Sequence, residues 1–232
     1  MKNTALILTG DYWHPTDTIM PVVGLMLPDE KWDVEITEDP AEFLNKPISP
    51  DLLVTFKDPI ENDQIPTPIW CDDKWSNKLK KSINDDGMGF LAIHCGLTDL
   101  PNEHIITQEI LRARFITHPP QCEVKFVPEK VHPITENVVE FTFPAIDEHY
   151  IIEMLPDFPT AILGYTISQH GKQPALWAHV LGKGKICGIT PGHSTENLIC
   201  GEYLKILQNA AEWCVRKQDV KKKTESRRKD SV

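Results

Sequence analysis

The stretch Gly89-Phe90-Leu91-Ala92-Ile93-His94 places a short, unbroken apolar run directly before a histidine. An apolar run without alternation is typical of a strand that is buried on both faces of a parallel sheet. It follows an amphipathic stretch from Asp72 to Asp85, which predicts a surface helix that stops at Gly87. We therefore predict a central strand here, with His94 at its carboxyl end.

Strand and helix patterns alternate on both sides of this strand. Residues 4–9 form a second continuous apolar run, closed by Gly10. Residues 15–27 are predicted to hold only short helical pieces, because Pro21 lacks an N–H and interrupts a helix. The other candidate strands are 32–37, 51–56, 121–127, 139–143, 160–167, 175–180 and 185–190, and the other candidate helices are 102–111 and 196–215. This alternation predicts an α/β three-layer sandwich with a mostly parallel central sheet and an antiparallel extension around a hairpin turn at 181–184.

Length and charge set bounds on the organisation of the chain. Its 232 residues fit one large α/β domain, which we place at residues 1–215. The formal net charge is −10, but residues 216–232 carry eight basic and only three acidic side chains. This basic tail is predicted to be disordered, and an RNA- or lipid-binding arm is the alternative. The acidic body argues against nucleic acid as a partner, because phosphate binding needs clustered basic groups.

The composition also bears on the compartment. The apolar runs are far shorter than the roughly 18 residues that span a membrane, and the residues after Met1 do not follow the pattern of a signal peptide. We therefore expect a cytoplasmic protein without a membrane partner. The six cysteines form no CxxC pair and are expected to be reduced thiols. Homo-oligomerisation is left open.

Histidines are concentrated at the ends of apolar runs, where the loops that leave parallel strands meet in one crevice. They are His14, His94, His118, His149 and His193. Histidine titrates near neutrality and is the commonest metal ligand, so their concentration predicts a functional site. Neighbouring side chains of an extended segment face opposite ways, so only one of Glu148 and His149 faces the cleft, and we favour Glu148.

Several segments occur in an order that points to one family. They are Gly87–Gly96, His118–Pro120, Val131–Thr135, Asp147–Tyr150, Pro174–Trp177, Gly182–Ile186 and Pro191–His193. Together they resemble the trehalose-utilisation (ThuA-like) family. The resemblance implies a class I glutamine amidotransferase-like fold with a flavodoxin-like sheet. It also implies chemistry on keto-sugars derived from trehalose or glycosides, with a functional link to a sugar oxidoreductase. It further implies that His94, Glu148 and His193 lie at the site, together with His14 from the first loop.

A cysteine-dependent amidotransferase is the first activity to consider on such a fold. Its nucleophile would lie in a strained turn after a strand, in the pattern Gly-x-Cys-x-Gly. Cys95 lies near that point, but the first glycine is missing and no late His-x-Glu follows to serve as base and orienter. We therefore expect no glutaminase activity, and a Cys95 that packs beneath the site.

We expect instead an enzyme that acts on a small keto-sugar by proton transfer next to the carbonyl, as isomerases, epimerases and lyases do. Glu148 or His94 would accept the proton, and the other histidines or a metal would stabilise the enolate oxygen. A metal would be held by His14, His94, Glu148 and His193, with zinc as the first candidate for nitrogen and oxygen ligands. The long separations of these residues make their spacing a weak signal.

Aromatic residues near the strand ends are candidates for contact with the sugar. The predicted substrate-binding residues are Tyr12, Trp13, His118 and Trp177. The alternative function is a non-catalytic carbohydrate-binding or regulatory module on the same scaffold, because a fold does not dictate a function. An open, aromatic-lined groove would favour this alternative.

Overall fold

A nine-stranded mixed sheet forms the centre of the computed structural model, which describes residues 1–61, 68–156 and 158–215. The strands are β1 (Asn3–Leu8), β2 (Trp32–Thr37), β3 (Leu52–Thr55), β4 (Gly89–Ile93), β5 (Ala113–Thr117), β6 (Lys125–Pro128), β7 (Phe141–Thr142), β8 (Ile151–Met154), β9 (Ala161–Ser168), β10 (Gly171–Leu181) and β11 (Gly184–Ile189). The helices are α1 (Thr16–Met26), α2 (Ala41–Asn45), α3 (Asp73–Lys81), α4 (Thr195–Leu198) and α5 (Gly201–Val215). The basic tail predicted over 216–232 lies outside the described residues, and no helix within them is long and apolar enough to cross a membrane.

The sheet has a parallel half and an antiparallel half. Neighbouring strands run parallel in the order β2-β1-β3-β4-β11 and antiparallel in the order β11-β10-β9-β6-β7. The prediction of a mostly parallel, flavodoxin-like sheet is therefore confirmed for the first half only, and the antiparallel extension is larger than predicted. A second, two-stranded sheet pairs β5 with β8, and the sequence pattern predicts neither strand.

Both faces of the inner strands of the parallel half are covered, which explains why β3 and β4 are buried at every position, whereas the edge strand β2 alternates. Along β1, Ala5 and Ile7 pack in a cluster with α1 and α5, whereas Leu6 and Leu8 pack in a cluster with α3. Successive side chains of a strand point to opposite faces, so each buried strand contributes to two cores. Helices on both faces leave the strand ends as the place where polar side chains can gather.

Helix α1 is continuous, so the prediction of short helical pieces is wrong. Pro21 is exposed and lies on the side of the helix that faces solvent. The buried face is formed by Ile19, Val22, Val23 and Met26. The missing N–H and the ring of the proline are therefore accommodated where they disturb no core contact.

The turn after β4 is strained and tightly packed. His94 has a φ of +52°, which is unusual for a residue other than glycine. Gly96 lies so close to β3 that an added Cβ would be 2.3 Å from the carbonyl oxygen of Thr55. The residue with a left-handed backbone conformation in this turn is thus His94 and not Cys95.

We expect Gly96→Ala to lower the free energy of unfolding by about 2–3 kcal/mol, because the methyl group meets backbone that cannot move without shifting β3. The matched control is Gly24→Ala in α1, where an added Cβ has no neighbour within 4 Å among the described residues. That change should stabilise by about 0.5–1 kcal/mol, since alanine favours a helix interior. Urea unfolding of both variants measures the difference. Equal stabilities of the two variants would contradict the close approach of Gly96 to the backbone of β3.

Candidate functional site

His94 is held at the carboxyl end of β4 with its ring almost completely buried. Its Nδ1 lies 2.9 Å from the carbonyl oxygen of Thr190, in the loop after the neighbouring strand β11. A carbonyl oxygen only accepts, so Nδ1 carries the proton and donates it. In the neutral ring, Nε2 then has a free lone pair.

His14 lies in the loop after β1 and is oriented by Asp11. One carboxylate oxygen of Asp11 accepts hydrogen bonds from the backbone N–H groups of Trp13 and His14 and from Nδ1 of His14, the last at 3.0 Å. Burial opposes ionisation of Asp11, but its hydrogen bonds with His14 and Asp58 lower its pKa. Nε2 of His14 is left buried, without a hydrogen-bond partner among the residues that the structure describes.

Glu148 and His193 complete the group from two other loops. Oε1 of Glu148 lies 3.3 Å from Nδ1 of His193, and Oε2 lies 3.4 Å from Nε2 of His94. Burial alone would raise the pKa of Glu148, but the hydrogen bond from His193 and the neighbouring ring of His94 hold that pKa well below its usual range. The hydrogen bond to Glu148 in turn raises the pKa of His193.

The structure therefore brings His14, His94, Glu148 and His193 together at one point. One ligand atom from each lies within 4.8 Å of the others, and the three imidazole rings are 5.1–5.5 Å apart. The three histidines follow strands of the parallel half, whose loops meet at one edge. Glu148 comes from the segment before β8, in the separate two-stranded sheet. The chemical roles of all four stay predictions.

Asp147 holds two of the loops in place. Its carboxylate is fully buried and accepts hydrogen bonds from the backbone N–H groups of Glu148, Gly192 and His193 and from the side-chain amide of Asn197. Four donors fill the acceptor positions of a carboxylate that water does not reach. This clamp fixes the separation of Glu148 and His193, and the sequence pattern gives no sign of it.

Glu148 and His149 point to opposite sides of their segment. His149 is 1% exposed and its Nδ1 lies 2.5 Å from the hydroxyl of Ser168 on β9, whereas Glu148 faces the histidine group. Burial lowers the pKa of His149. The structure thus places the carboxylate in the cleft and the imidazole behind it, in the arrangement that we favoured.

Three of the four predicted contact residues are exposed to solvent. Tyr12 and Trp13 form an exposed pair whose ring centroids are 5.1 Å apart, next to His14. His118 follows β5, and its Nε2 lies 3.9 Å from Oε2 of Glu148. These three side chains are accessible to a ligand that enters from solvent.

Trp177 is not accessible. Its indole is completely buried in β10, donates its Nε1–H to the carbonyl oxygen of Leu111 and packs on Gly188. It has no face left on which a sugar ring could stack, so the prediction of a substrate contact at this position is corrected to a core position.

Tyr150 is a site residue that the sequence analysis does not include. Its ring stacks on His94 at 4.6 Å, and its hydroxyl lies 3.2 Å from Nε2 of His94. It lies two residues after Glu148 in the same extended segment, so the alternation that selects Glu148 also selects Tyr150.

Cys95 lies beneath the site and is fully buried. Its Sγ donates to the carbonyl oxygen of Phe56 at 2.6 Å, and burial raises the pKa of its thiol well above the usual value. A thiol is a poor nucleophile until it loses its proton. The arrangement agrees with a packing role and gives no support to cysteine hydrolase chemistry.

A partly protonated carboxyl group borders the site. Asp58 donates its backbone N–H to Asp11 and accepts a hydrogen bond from the hydroxyl of Thr98. Burial raises the pKa of Asp58 to about 7. It is therefore only partly ionised at neutral pH, next to Asp11.

The fold and this cluster define an α/β protein with a site at the carboxyl edge of a parallel half-sheet. Residues 4–214 match the ThuA family, described as trehalose utilisation, and the chain belongs to this family. The resemblance seen in the sequence is thus confirmed. No curated protein matches the sequence.

Solved structures share the fold at low sequence identity. A ThuA-like protein of Parabacteroides merdae is 16% identical with a TM-score of 0.70, covering 93% of this chain and 90% of that one. A ThuA-like protein of Bacteroides uniformis is 16% identical with a TM-score of 0.69, covering 91% of each chain. A cytoplasmic protein of Salmonella typhimurium is 14% identical with a TM-score of 0.61, covering 94% of this chain and all of that one. At these identities the likeness shows the fold alone.

Proposed function

We propose that this chain is an enzyme of carbohydrate metabolism that binds a divalent metal through His14, His94, Glu148 and His193 and acts on a small keto-sugar. The observation that carries the proposal is Nε2 of His14, which is buried without a partner among the described residues and belongs to the four-residue group. A buried lone pair that binds nothing is costly, and a metal ion would satisfy it.

The surroundings of the histidines support a metal. A metal-binding histidine usually donates its other N–H to a carboxylate or a carbonyl oxygen, which fixes the ring and its tautomer. His14 does so to Asp11 and His94 does so to Thr190. Both rings are therefore held with Nε2 unprotonated and free to bind.

The distances also support a metal. Ligand atoms around a tetrahedral ion with bonds of about 2.1 Å lie about 3.4 Å apart. Nε2 of His94 is 3.4 Å from Nδ1 of His193, and Glu148 is 3.4 Å and 3.3 Å from these two rings. Three imidazoles and one carboxylate suit zinc, and they also suit other divalent ions of the first transition row.

The chemistry that we propose is proton transfer next to a carbonyl. The metal would polarise the carbonyl of the sugar and acidify the neighbouring C–H. The low pKa of Glu148 makes it a good ligand but a weak base. His118 is more exposed than the four ligands and lies close to Glu148, so we propose it as the group that accepts the proton. Tyr12 and Trp13 offer an aromatic surface for the sugar ring.

Zn²⁺ added to metal-free protein is expected to raise the Tm, because it binds the native state. The affinity should increase with pH, since zinc must displace the proton of His193, whose pKa Glu148 raises. Isothermal titration calorimetry with Zn²⁺ measures both the affinity for zinc and the number of protons released. It is carried out between about pH 5.5 and 8, roughly the range in which a histidine titrates. An affinity that does not change with pH would contradict coordination by His193.

The reaction is tested by isotope exchange. A 3-keto-glucoside incubated with the protein in deuterated water should gain one deuterium next to the carbonyl, as measured by mass spectrometry. The exchange should stop when a chelator removes the metal and return with zinc. Absence of exchange with keto-glucosides and keto-trehalose in the loaded protein would contradict the proposed reaction.

A non-catalytic sugar-binding module remains the second candidate, because four protein ligands can close a tetrahedral site completely. Catalysis requires a further open position on the ion. Cobalt absorption spectroscopy distinguishes the two, since four-coordinate Co²⁺ absorbs much more strongly than five- or six-coordinate Co²⁺. A four-coordinate spectrum that does not change on addition of the keto-sugar would favour the module.

The proposed substrate needs a source. A keto-sugar forms when a sugar hydroxyl is oxidised, so we propose a functional link to a sugar oxidoreductase, in agreement with the expectation from the family. Cytoplasmic location stays a prediction, and homo-oligomerisation stays open.

A further inference from the structure

Tyr150 places a hydroxyl group inside the histidine cluster. Its side chain is 2% exposed. Its ring stacks on the ring of His94 and meets the ring of Phe115 edge-on, with 4.7 Å between the ring centroids of Tyr150 and Phe115. The hydroxyl is 3.2 Å from Nε2 of His94, the atom that faces the other proposed ligands. These contacts hold the phenol on one side of the proposed ion and hidden from bulk water.

The direction of this hydrogen bond follows from the tautomer of His94. Nδ1 donates to the carbonyl oxygen of Thr190, so Nε2 of the neutral ring accepts, and the hydroxyl of Tyr150 donates. When Nε2 binds a metal, the hydroxyl loses its acceptor. A buried donor without an acceptor is costly, so it must turn to another oxygen in the same place.

We propose that Tyr150 is a further catalytic residue of this site, and that its O–H donates a hydrogen bond to the carbonyl oxygen of the bound keto-sugar. The inference rests on the proposed function. When the base removes the proton from the neighbouring carbon, the C–H electron pair forms the C=C bond of the enolate and the carbonyl oxygen gains negative charge. The tyrosine keeps its proton and stabilises that oxygen by a stronger hydrogen bond.

The geometry suits this role better than that of a base or a ligand. A donor held in place before the reaction needs no rearrangement when the charge develops, and exclusion of water strengthens its effect. The stacking on His94 and the contact with Phe115 fix the ring, and Glu148 already accepts from His193. The substrate oxygen is therefore the acceptor that the hydroxyl lacks once His94 is bound.

The test is Tyr150→Phe, which removes only the hydroxyl group. The rate of deuterium exchange into a 3-keto-glucoside at saturating concentration should fall on the order of 10²- to 10³-fold, with KM changed little. The affinity for Co²⁺ should stay the same or increase, because the hydroxyl no longer competes for His94. Tyr165→Phe on β9, distant in the sheet from the cluster, is the matched control and should leave exchange unchanged.

Two results with Tyr150→Phe would overturn the inference while the proposed function stands. The first is an unchanged exchange rate. The second is a loss of Co²⁺ affinity with a changed absorption spectrum, which would make Tyr150 a metal ligand. A wild-type protein that binds Co²⁺ but exchanges no deuterium would overturn both the proposed reaction and the role of Tyr150.

Discussion

Replacement of Asp147 by alanine is expected to lower the free energy of unfolding by at least about 3 kcal/mol. The change removes the acceptor of three buried or part-buried backbone N–H groups and one of the acceptors of the Asn197 amide. Each unsatisfied donor costs about 1–3 kcal/mol. An α/β domain with a total stability of about 5–15 kcal/mol would lose a large part of it.

Asp147→Asn gives the graded comparison. The amide keeps the shape and one acceptor oxygen, but its NH₂ group faces donors, so we expect a smaller loss of about 2 kcal/mol. It should also weaken zinc binding, because Glu148 and His193 lose their common anchor. Asp33→Ala is the surface control, because the side chain of Asp33 is 65% exposed. Within the part of the chain that the structure describes, its one ion pair is with Lys2, at 3.3 Å.

Urea unfolding and zinc titration of these variants separate the two effects of the clamp. If Asp147→Ala unfolds during purification, Asp147→Asn still reports the positional effect through its zinc affinity. A loss below about 1 kcal/mol for the alanine variant, with normal zinc binding, would show that the loops hold their positions without the clamp.

The parallel half of the sheet could be predicted because its physical cause lies within each strand. A strand covered on both faces must be apolar at every position, as Phe90 and Leu91 show by packing into opposite clusters. The strands β5 and β8 could not be predicted in the same way. Each is short and contains a charged residue, Arg114 or Glu153, and they pair with each other across a long stretch of chain.

The candidate site was partly predictable for a topological reason. Loops that leave parallel strands meet at one edge, so His14, His94 and His193 converge although they are far apart in sequence. Alternation in the extended segment distinguishes Glu148 from His149, and the same rule applied one step further would have found Tyr150.

The sequence could not predict which side chains are buried or which buried polar groups contact each other. A tryptophan next to a strand end has the same pattern whether it faces the cleft or the core, and Trp177 faces the core. The role of Asp147 depends on donors from the loop after β11 and from Asn197 on α4, which only the folded chain brings to it.

Glu148→Gln is expected to abolish deuterium exchange and to reduce zinc affinity by at least on the order of 10²-fold. The amide preserves the shape of the side chain but supplies no negative charge for the metal or for His193. Glu153→Gln is the matched control, because it makes the same chemical change on β8 at a side chain that is 51% exposed and paired only with Arg114 among the described residues. Its exchange rate and zinc affinity should equal those of the wild type.

The pH dependence of Glu148→Gln distinguishes an ion pair from a metal site. The depressed pKa of Glu148 contributes stability that is present above the ordinary glutamate pKa of 4.5. The raised pKa of His193 contributes stability that is present below the ordinary histidine pKa of 6.5. This second contribution is lost as the pH rises through the pKa of His193 in the folded protein. In the metal-free protein the Tm difference between the wild type and Glu148→Gln should therefore be largest between pH 4.5 and 6.5 and shrink above this range. With zinc bound the trend should reverse, because zinc competes with protons for His193 and gains affinity as the pH rises. A Tm difference that follows the same trend with and without zinc would mean that Glu148 stabilises only its histidine partners and does not bind the metal.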